Sequence, residues 1–320
     1  MPFSPRPQAA SERHCPQPGL KGSTTMRSKA IWKTKYLLMN GLSRVPFNEK
    51  LHFAAQRLLG KHSLDAEEMF GRAAELFRVL RRAGGNVQGK TVLEIGTGWF
   101  PFAALLSYLF GAREVVTVDI HPWLTLGNAV KTFEHAQRLG EGVLEKVGAD
   151  RADFAERCRT ASRSASAARH LDGFFAPLGI RYLPKTDLLV ADIPDGSVDV
   201  VFSSNVLEHI PPEVLAEIHG KTGRLAREGG FAVHRFNPDD HYKNLSGSSV
   251  SFLEYDERGW RLLGGYGLAY HNRLRTVELT LQRFPILHSF PRRRASCAPT
   301  PPPSYRRVGR QPAGRLAPEP

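Results

Sequence analysis

Apolar positions along this chain recur in two alternating periods, and the alternation lays out a fold before any single residue is weighed. From Leu64 to Arg82, Met69, Ala73, Leu76, Phe77 and Leu80 return at three- and four-residue steps, which places them on one face of a helix. Asp65, Glu67 and Glu68 suit its amino end, and Arg81-Arg82 before Gly84-Gly85 suit its carboxyl end. Thr91 to Ile95 is a short β-branched run that stops at Gly96-Thr97-Gly98, the pattern of a buried strand ending in a glycine turn. Phe100, Phe102, Ala103, Leu105, Leu106 and Leu109 then resume helical spacing until Gly111, and Val115 to Val118 forms a second apolar run closing on Asp119. Strand, glycine turn, helix, strand and terminal acid make one βαβ unit.

The same reading continues downstream. Thr125 to Leu139 is the second helix of the unit. Residues 140–177 exceed what a connection to a third strand needs; Val143, Leu144, Val147, Phe154, Cys158 and Leu171 read as an inserted helical hairpin, which either shapes an acceptor pocket or decorates the surface. Gly179 to Leu183 is the expected third strand and Val198 to Ser203 the fourth. Pro211 and Pro212 open a helix, where a missing N–H costs nothing, with Val214, Leu215, Ile218 and Leu225 facing inward. Glu228-Gly229-Gly230 is expected to turn into a fifth strand, Phe231 to Phe236. Leu274 to Phe284 reads as a helix and Pro285 to Phe290 as a sixth strand. The class is α/β, a doubly wound, mostly parallel sheet of six to seven strands with helices on both faces.

Composition changes the picture at the two ends. Residues 1–29 are rich in Pro, Ser, Gln and Arg with few aliphatic side chains, which predicts a disordered extension; Met26 is an alternative start. Residues 30–63 read as short helices forming a lid or strap on the α/β body, with Lys33, Lys35 and Arg44 offering weak peripheral membrane contact as a further reading. The net charge of +13 resides in the tails: nine Lys/Arg oppose two acids in residues 1–50, seven Arg oppose one Glu in residues 291–320, and the body between holds 28 bases and 28 acids. A neutral body weighs against a nucleic-acid partner, which would be met by a basic folded face. Three scattered cysteines, Cys15, Cys158 and Cys297, form neither a disulfide framework nor a thiolate metal site. With no apolar run of membrane-spanning length and no secretory leader pattern, the expected location is cytoplasmic. Pro291 onward, PRRRASCAPTPPPSYRRVGR, suits no central strand; it is an expected disordered tail, of the kind a reading-frame change in a GC-rich gene would produce.

The chemistry concentrates at the glycine turn. Gly96 and Gly98 let a ligand lie against the main chain, and in open α/β sheets ligands bind beyond the carboxyl ends of the strands, so Asp119 faces the same crevice, placed to accept hydrogen bonds from two ribose hydroxyls. Pro101 breaks the G-x-G-x-x-G dinucleotide fingerprint, and the lysine of a phosphate-binding loop is missing. Taken alone, the glycine pair is also what a ligand-free α/β turn would carry.

Leu93-Glu94-Ile95-Gly96-Thr97-Gly98, with Asp119 following, resembles motif I of the class I S-adenosylmethionine-dependent methyltransferases, a Rossmann-like family that includes the type 11 methyltransferases. Thr186 to Asp199 resembles the family's gDaxxLPFPDGSFD segment, and Ser204-Asn205-Val206-Leu207-Glu208-His209-Ile210 with Gly229-Gly230 resembles its later motif. The resemblance covers residues 64–290. It implies S-adenosyl-L-methionine as cofactor, held by Glu94, Gly96, Thr97, Gly98, Asp119, Ile120, Asp187, Leu188 and Asn205, with Asp192 a rival to Asp187 at the adenine. It implies methyl transfer and is silent on the acceptor; the acceptor expected here is a small-molecule, sugar or lipid-linked one, with His209 and His241 as candidate catalytic bases. Some relatives hold a divalent metal on E-x-x-E-H; here the first position is Asn205, a weaker ligand, and no metal is expected. A nucleic-acid methyltransferase and a non-catalytic protein retaining the pocket are the alternatives, and oligomeric state is open.

Overall fold

A computed structural model describes Thr34, Leu37, Gly41 and residues 65–237, 254–256 and 258–260. Within it, helix α1 (Ala66–Arg82) starts where the sequence places it: Asp65 caps the amino end, its Oδ1 accepting the Glu68 N–H at 3.0 Å. Strand β1 (Thr91–Ile95), helix α2 (Phe102–Leu109) and strand β2 (Glu114–Asp119) form the expected βαβ unit. Helix α3 (Leu126–Gly140) follows, capped by the Thr125 hydroxyl. The insertion is helical: α4 (Leu144–Val147), α5 (Arg151–Ala167) and α6 (Leu171–Phe175). Strands β3 (Ile180–Pro184) and β4 (Val198–Ser204), helix α7 (Pro212–Leu225) and strand β5 (Ala226–Arg235) complete the described elements.

The described sheet has five strands in the order β3-β2-β1-β4-β5, every pairing parallel. The chain winds outward from β1 in one direction through β2 and β3, then returns to the other side of β1 with β4. The boundary between β1 and β4 is therefore the point where the winding reverses, the place where such sheets bind ligands. The sixth strand expected at 285–290, the helix at 274–284 and both tails lie outside the described residues.

Burial follows strand alternation. On one face Val92, Val115, Val200 and Phe202 pack beneath α1, α2 and α3; on the other Leu93, Ile95, Val116 and Val201 meet α7 and the segment 188–193. The Phe77 ring of α1 packs edge-on against Phe202 (4.9 Å) and Phe110 (5.0 Å), and such pairs add roughly 0.5–1.5 kcal/mol to the area they bury.

The insertion is anchored at the end of the sheet opposite the glycine turn. The Arg157 guanidinium meets Asp153 at 2.9 Å, donates to the carbonyls of Tyr108 (3.0 Å) and Ala112 (2.9 Å), and lies 5.1 Å over the Tyr108 ring. The Tyr108 carbonyl lies in the last turn of α2, where a cation is favoured by the helix dipole, and Ala112 follows in the turn beyond it. His170 has a structural task there, its Nδ1 accepting the Gly173 N–H at the start of α6.

One boundary differs from the sequence reading. The pair Gly229-Gly230 does not precede the fifth strand but lies inside it: β5 opens at Ala226, directly after α7, and the register passes from Val198↔Ala226 to Val200↔Phe231. The extra residues bulge out, and the Arg227 guanidinium swings to Asp199 at 3.1 Å.

Candidate functional site

The glycine bend sits at the reversal point, and each glycine there is required for a different reason. Gly96 (φ +83°) packs against the residue that leaves β4: a Cβ built on it falls 2.3 Å from a Val206 methyl. Gly98 (φ +66°) has open space where its Cβ would be. One glycine admits a neighbouring loop, the other leaves room on the crevice side. The bend is clasped to β2: Gly96 N–H donates to the Val118 carbonyl at 2.8 Å, and Gly98 N–H donates to Asp119 Oδ2 at 2.7 Å.

Asp119 ends β2 with its other oxygen accepting the His121 N–H at 2.8 Å. An ionised carboxylate offers about four acceptor positions, so these two N–H groups fix its orientation and leave acceptor capacity. Ile120, next in the chain, is 60% exposed, an apolar surface beside that carboxylate.

Glu94 lies on the same sheet face as Asp119, and both are buried. It is 6% exposed and lies opposite Thr117 in the β1–β2 register. The Thr117 hydroxyl donates to its Oε2 at 2.7 Å and shares a 2.5 Å hydrogen bond with the Thr97 hydroxyl. Burial pushes the Glu94 carboxyl up to about 8; the hydrogen bond from Thr117 opposes this, the charge of Asp119 adds to it, and the Ala104 N–H of α2 opposes it. The side chain thus ties strand, bend and helix together from behind. Thr117 was not singled out by sequence reading, although a threonine two residues before Asp119 on the same strand face is a readable signal.

The second wall is built after β3. Thr186 N–H donates to the Asp119 carbonyl at 3.0 Å, tying the segment after β3 to the end of β2. Asp187 Oδ1 accepts the Leu189 N–H at 2.9 Å, and Leu188 is buried in the lower core. Leu188 to Val190 is a tight turn. Asp192 is exposed, with its carbonyl near Arg181.

Past β4, Asn205 adopts φ +58°, a conformation asparagine tolerates better than most residues. Its N–H donates to the Arg235 carbonyl at 2.7 Å, and its Oδ1 accepts from the Arg235 guanidinium. Glu208 is buried in the next turn with Oε1 accepting the Asn237 N–H at 3.0 Å; burial raises its carboxyl above the ordinary range, opposed by the charge of His209. His209, half-buried, ends the same turn. His234 is a buried strand residue sharing a 2.8 Å hydrogen bond with Ser203. His241 lies outside the described residues, and among those described no cluster of three or more His, Cys, Asp or Glu could hold a metal ion. A surface hollow of about 580 Å³, lined by Arg138, Arg151, Cys158 and Arg163 among others, lies between α3 and α5 and borders none of these crevice residues.

A parallel, doubly wound sheet with a glycine bend at its reversal point and an acid ending the neighbouring strand defines a nucleotide-binding α/β protein. A family profile described as "Methyltransferase domain" matches residues 66–291, well over half of the chain, and the chain belongs to this family, the class I S-adenosylmethionine-dependent methyltransferases. Among solved structures, an S-adenosylmethionine-dependent methyltransferase from Mesorhizobium loti is 19% identical over 50% of this chain and 52% of its own, with a TM-score of 0.29. Phosphoethanolamine N-methyltransferase 1 of Haemonchus contortus, solved with phosphoethanolamine and S-adenosylhomocysteine, is 15% identical over 61% and 33%, at 0.33. A geranyl diphosphate methyltransferase solved with S-adenosylmethionine is 13% identical over 75% and 71%, at 0.36. The chain thus spans about half the length of the first of these and a third of the second. No curated protein matches the chain. No helix among the described residues is long and apolar enough to cross a membrane.

Proposed function

We propose that this protein transfers the methyl group of S-adenosyl-L-methionine to a small-molecule, sugar or lipid-linked acceptor. The observation that carries the reading is the clasp between Gly98 and Asp119: it holds a carboxylate with spare acceptor capacity beside an exposed apolar side chain, Ile120, and an open glycine face. Asp119 takes the ribose hydroxyls, Ile120 and Leu188 border the adenine, and Asp187 approaches its amino group. Gly96, Thr97 and Gly98 let the remainder of the donor run along the main chain. Glu94 acts as a positioning residue through Thr117 and Thr97, and Asn205 shapes the wall after β4.

When bound, the cofactor supplies a methyl group already activated on a sulfonium, so no covalent nucleophile is needed. The chain's own task is alignment of the acceptor and exclusion of water. His209, in the turn that follows β4, is the first candidate base for the proton of an acceptor hydroxyl or amine; His241 is the second. Incubating the protein with methyl-labelled S-adenosylmethionine and fractionated metabolites tests the reading. Label transferred with matching formation of S-adenosylhomocysteine supports it; binding of the donor with no transfer to any fraction would favour a non-catalytic pocket protein instead.

A further inference from the structure

The hollow between α3 and α5 is built on one face of the insertion. Arg151, Ala155, Arg159 and Arg163 recur at four-residue steps along α5 and so lie in one row, which spans roughly 18 Å of helix axis. Arg138, from the last turn of α3, lines the same hollow. Phe154, Ala155 and Cys158 form its apolar floor, and its volume is about 580 Å³. The floor is firm and uncharged. The Phe154 ring stacks on Phe110 with centroids 6.3 Å apart, and it fills the place a side chain on Gly140 would need, since a Cβ built there falls 2.9 Å from it. Burial pushes the Cys158 thiol up to about 11, so it stays a neutral thiol near neutral pH.

The rim carries more positive than negative charge. Arg151 meets Glu141, Arg159 meets Glu156 at 2.5 Å, and Arg163 meets the other oxygen of the same Glu156 carboxylate at 3.6 Å. Arg138 meets the His135 ring at 3.4 Å and, among the described residues, no carboxylate. Four guanidinium groups therefore face two carboxylates, on a body whose bases and acids are equal in number. Each guanidinium has five N–H donors, and exposed ion pairs contribute little to stability, so these arginines exchange readily onto incoming carboxylates. A small-ligand site sinks its few polar groups and encloses most of its ligand. Here the side chains of Arg151, Arg159 and Arg163 are 61% to 70% exposed along the rim, which suits a surface that a second macromolecule covers. Glu141 and Glu156 interrupt the arginines and break the continuous positive track that a phosphate backbone follows. Separate carboxylates on either side of an apolar side chain match both the guanidinium forks and the floor. We propose that this hollow docks an acidic segment of a partner protein, its carboxylates on the four arginines and an apolar side chain on Phe154, Ala155 and Cys158. Docking gives the insertion a task apart from the donor crevice, whose residues the hollow does not border.

The test is fluorescence anisotropy on the full chain at about 0.15 M salt. The probe is a labelled peptide in which glutamates flank a central pair of leucines, long enough to span the row. A peptide with serines in place of the leucines and a single-stranded DNA oligomer of equal charge are titrated beside it. Arg138→Gln/Arg163→Gln removes two charges from the hollow, and Arg306→Gln/Arg307→Gln removes two from the basic carboxyl-terminal segment; each variant is checked for a wild-type melting profile. The glutamate–leucine peptide is expected to bind wild type saturably with a Kd below about 100 μM. It should lose about tenfold in the hollow variant and stay within about twofold in the terminal one, and the serine peptide should bind wild type about threefold more weakly or worse. If the hollow double variant does not fold, Arg138→Gln, which leaves the ion pairs of the rim intact, decides by an expected loss of about threefold. A folded wild type that does not bind the peptide, a loss in the hollow variant no greater than in the terminal one, or a serine peptide that binds as tightly would overturn the inference. So would a DNA oligomer that binds more tightly than the peptide and weakens as much in the hollow variant, the result expected of a nucleic-acid contact.

Discussion

Sealing Glu94 beneath the glycine bend fixes the titration of one residue and with it a pH dependence of the fold. Its carboxyl is raised to about 8 in the folded chain, against roughly 4.3 unfolded, so the folded state binds the proton more tightly. Its contribution to stability is full below the unfolded value and is lost as pH rises toward about 8. Glu94→Gln, which mimics the protonated acid, is expected to gain stability relative to wild type across that window, by up to about 5 kcal/mol at pH 9; urea unfolding at pH 5, 7 and 9 measures it. The two glycines separate stability from binding. Gly96→Ala drives a methyl into Val206 and is expected to cost about 2–4 kcal/mol, partly recovered in the double variant with Val206→Ala. Gly98→Ala meets no atom, so it is expected to cost only about 1–2 kcal/mol but to weaken donor binding at least tenfold, read by melting and titration side by side.

At the scale of elements, what the sequence disclosed was whatever is written locally. The α1–β1–α2–β2 run was legible because its periods, caps and glycine turn are contiguous. The start of β5 was not: Gly229-Gly230 carries a turn signature, yet these glycines sit in a bulge of a strand that has already begun, beside a contact between Arg227 and Asp199 that no local pattern announces. The Asn205–Arg235 pairing was invisible for the same reason. The insertion was legible as helical, yet its anchor, Arg157 on the carbonyls of Tyr108 and Ala112, is a tertiary fact. Arg157→Ala leaves Asp153 and two carbonyls without that partner and is expected to lower stability by about 2–3 kcal/mol. Because the anchor lies at the end of the sheet away from the bend, donor affinity should stay within twofold of wild type, a split that melting and titration together reveal.

For the whole molecule, the winding of the sheet is what turns separate signals into one site. Reversing direction at β1 places the loops after β1, β2 and β4 at a common edge, so Gly98, Asp119 and Asn205, spread over a hundred residues, converge without any of them being near another in sequence. The charge of the chain is uneven, neutral in its body and basic at both ends, which weighs against a phosphate-tracking face on the folded body. The most direct test is a calorimetric titration of the full chain with S-adenosylmethionine, repeated on Asp119→Ala after its fold is verified by melting. Saturable one-to-one binding in the wild type that falls at least tenfold in the variant is the predicted result; a folded wild type that releases no heat of binding, or a variant that binds as well as wild type, would contradict the account.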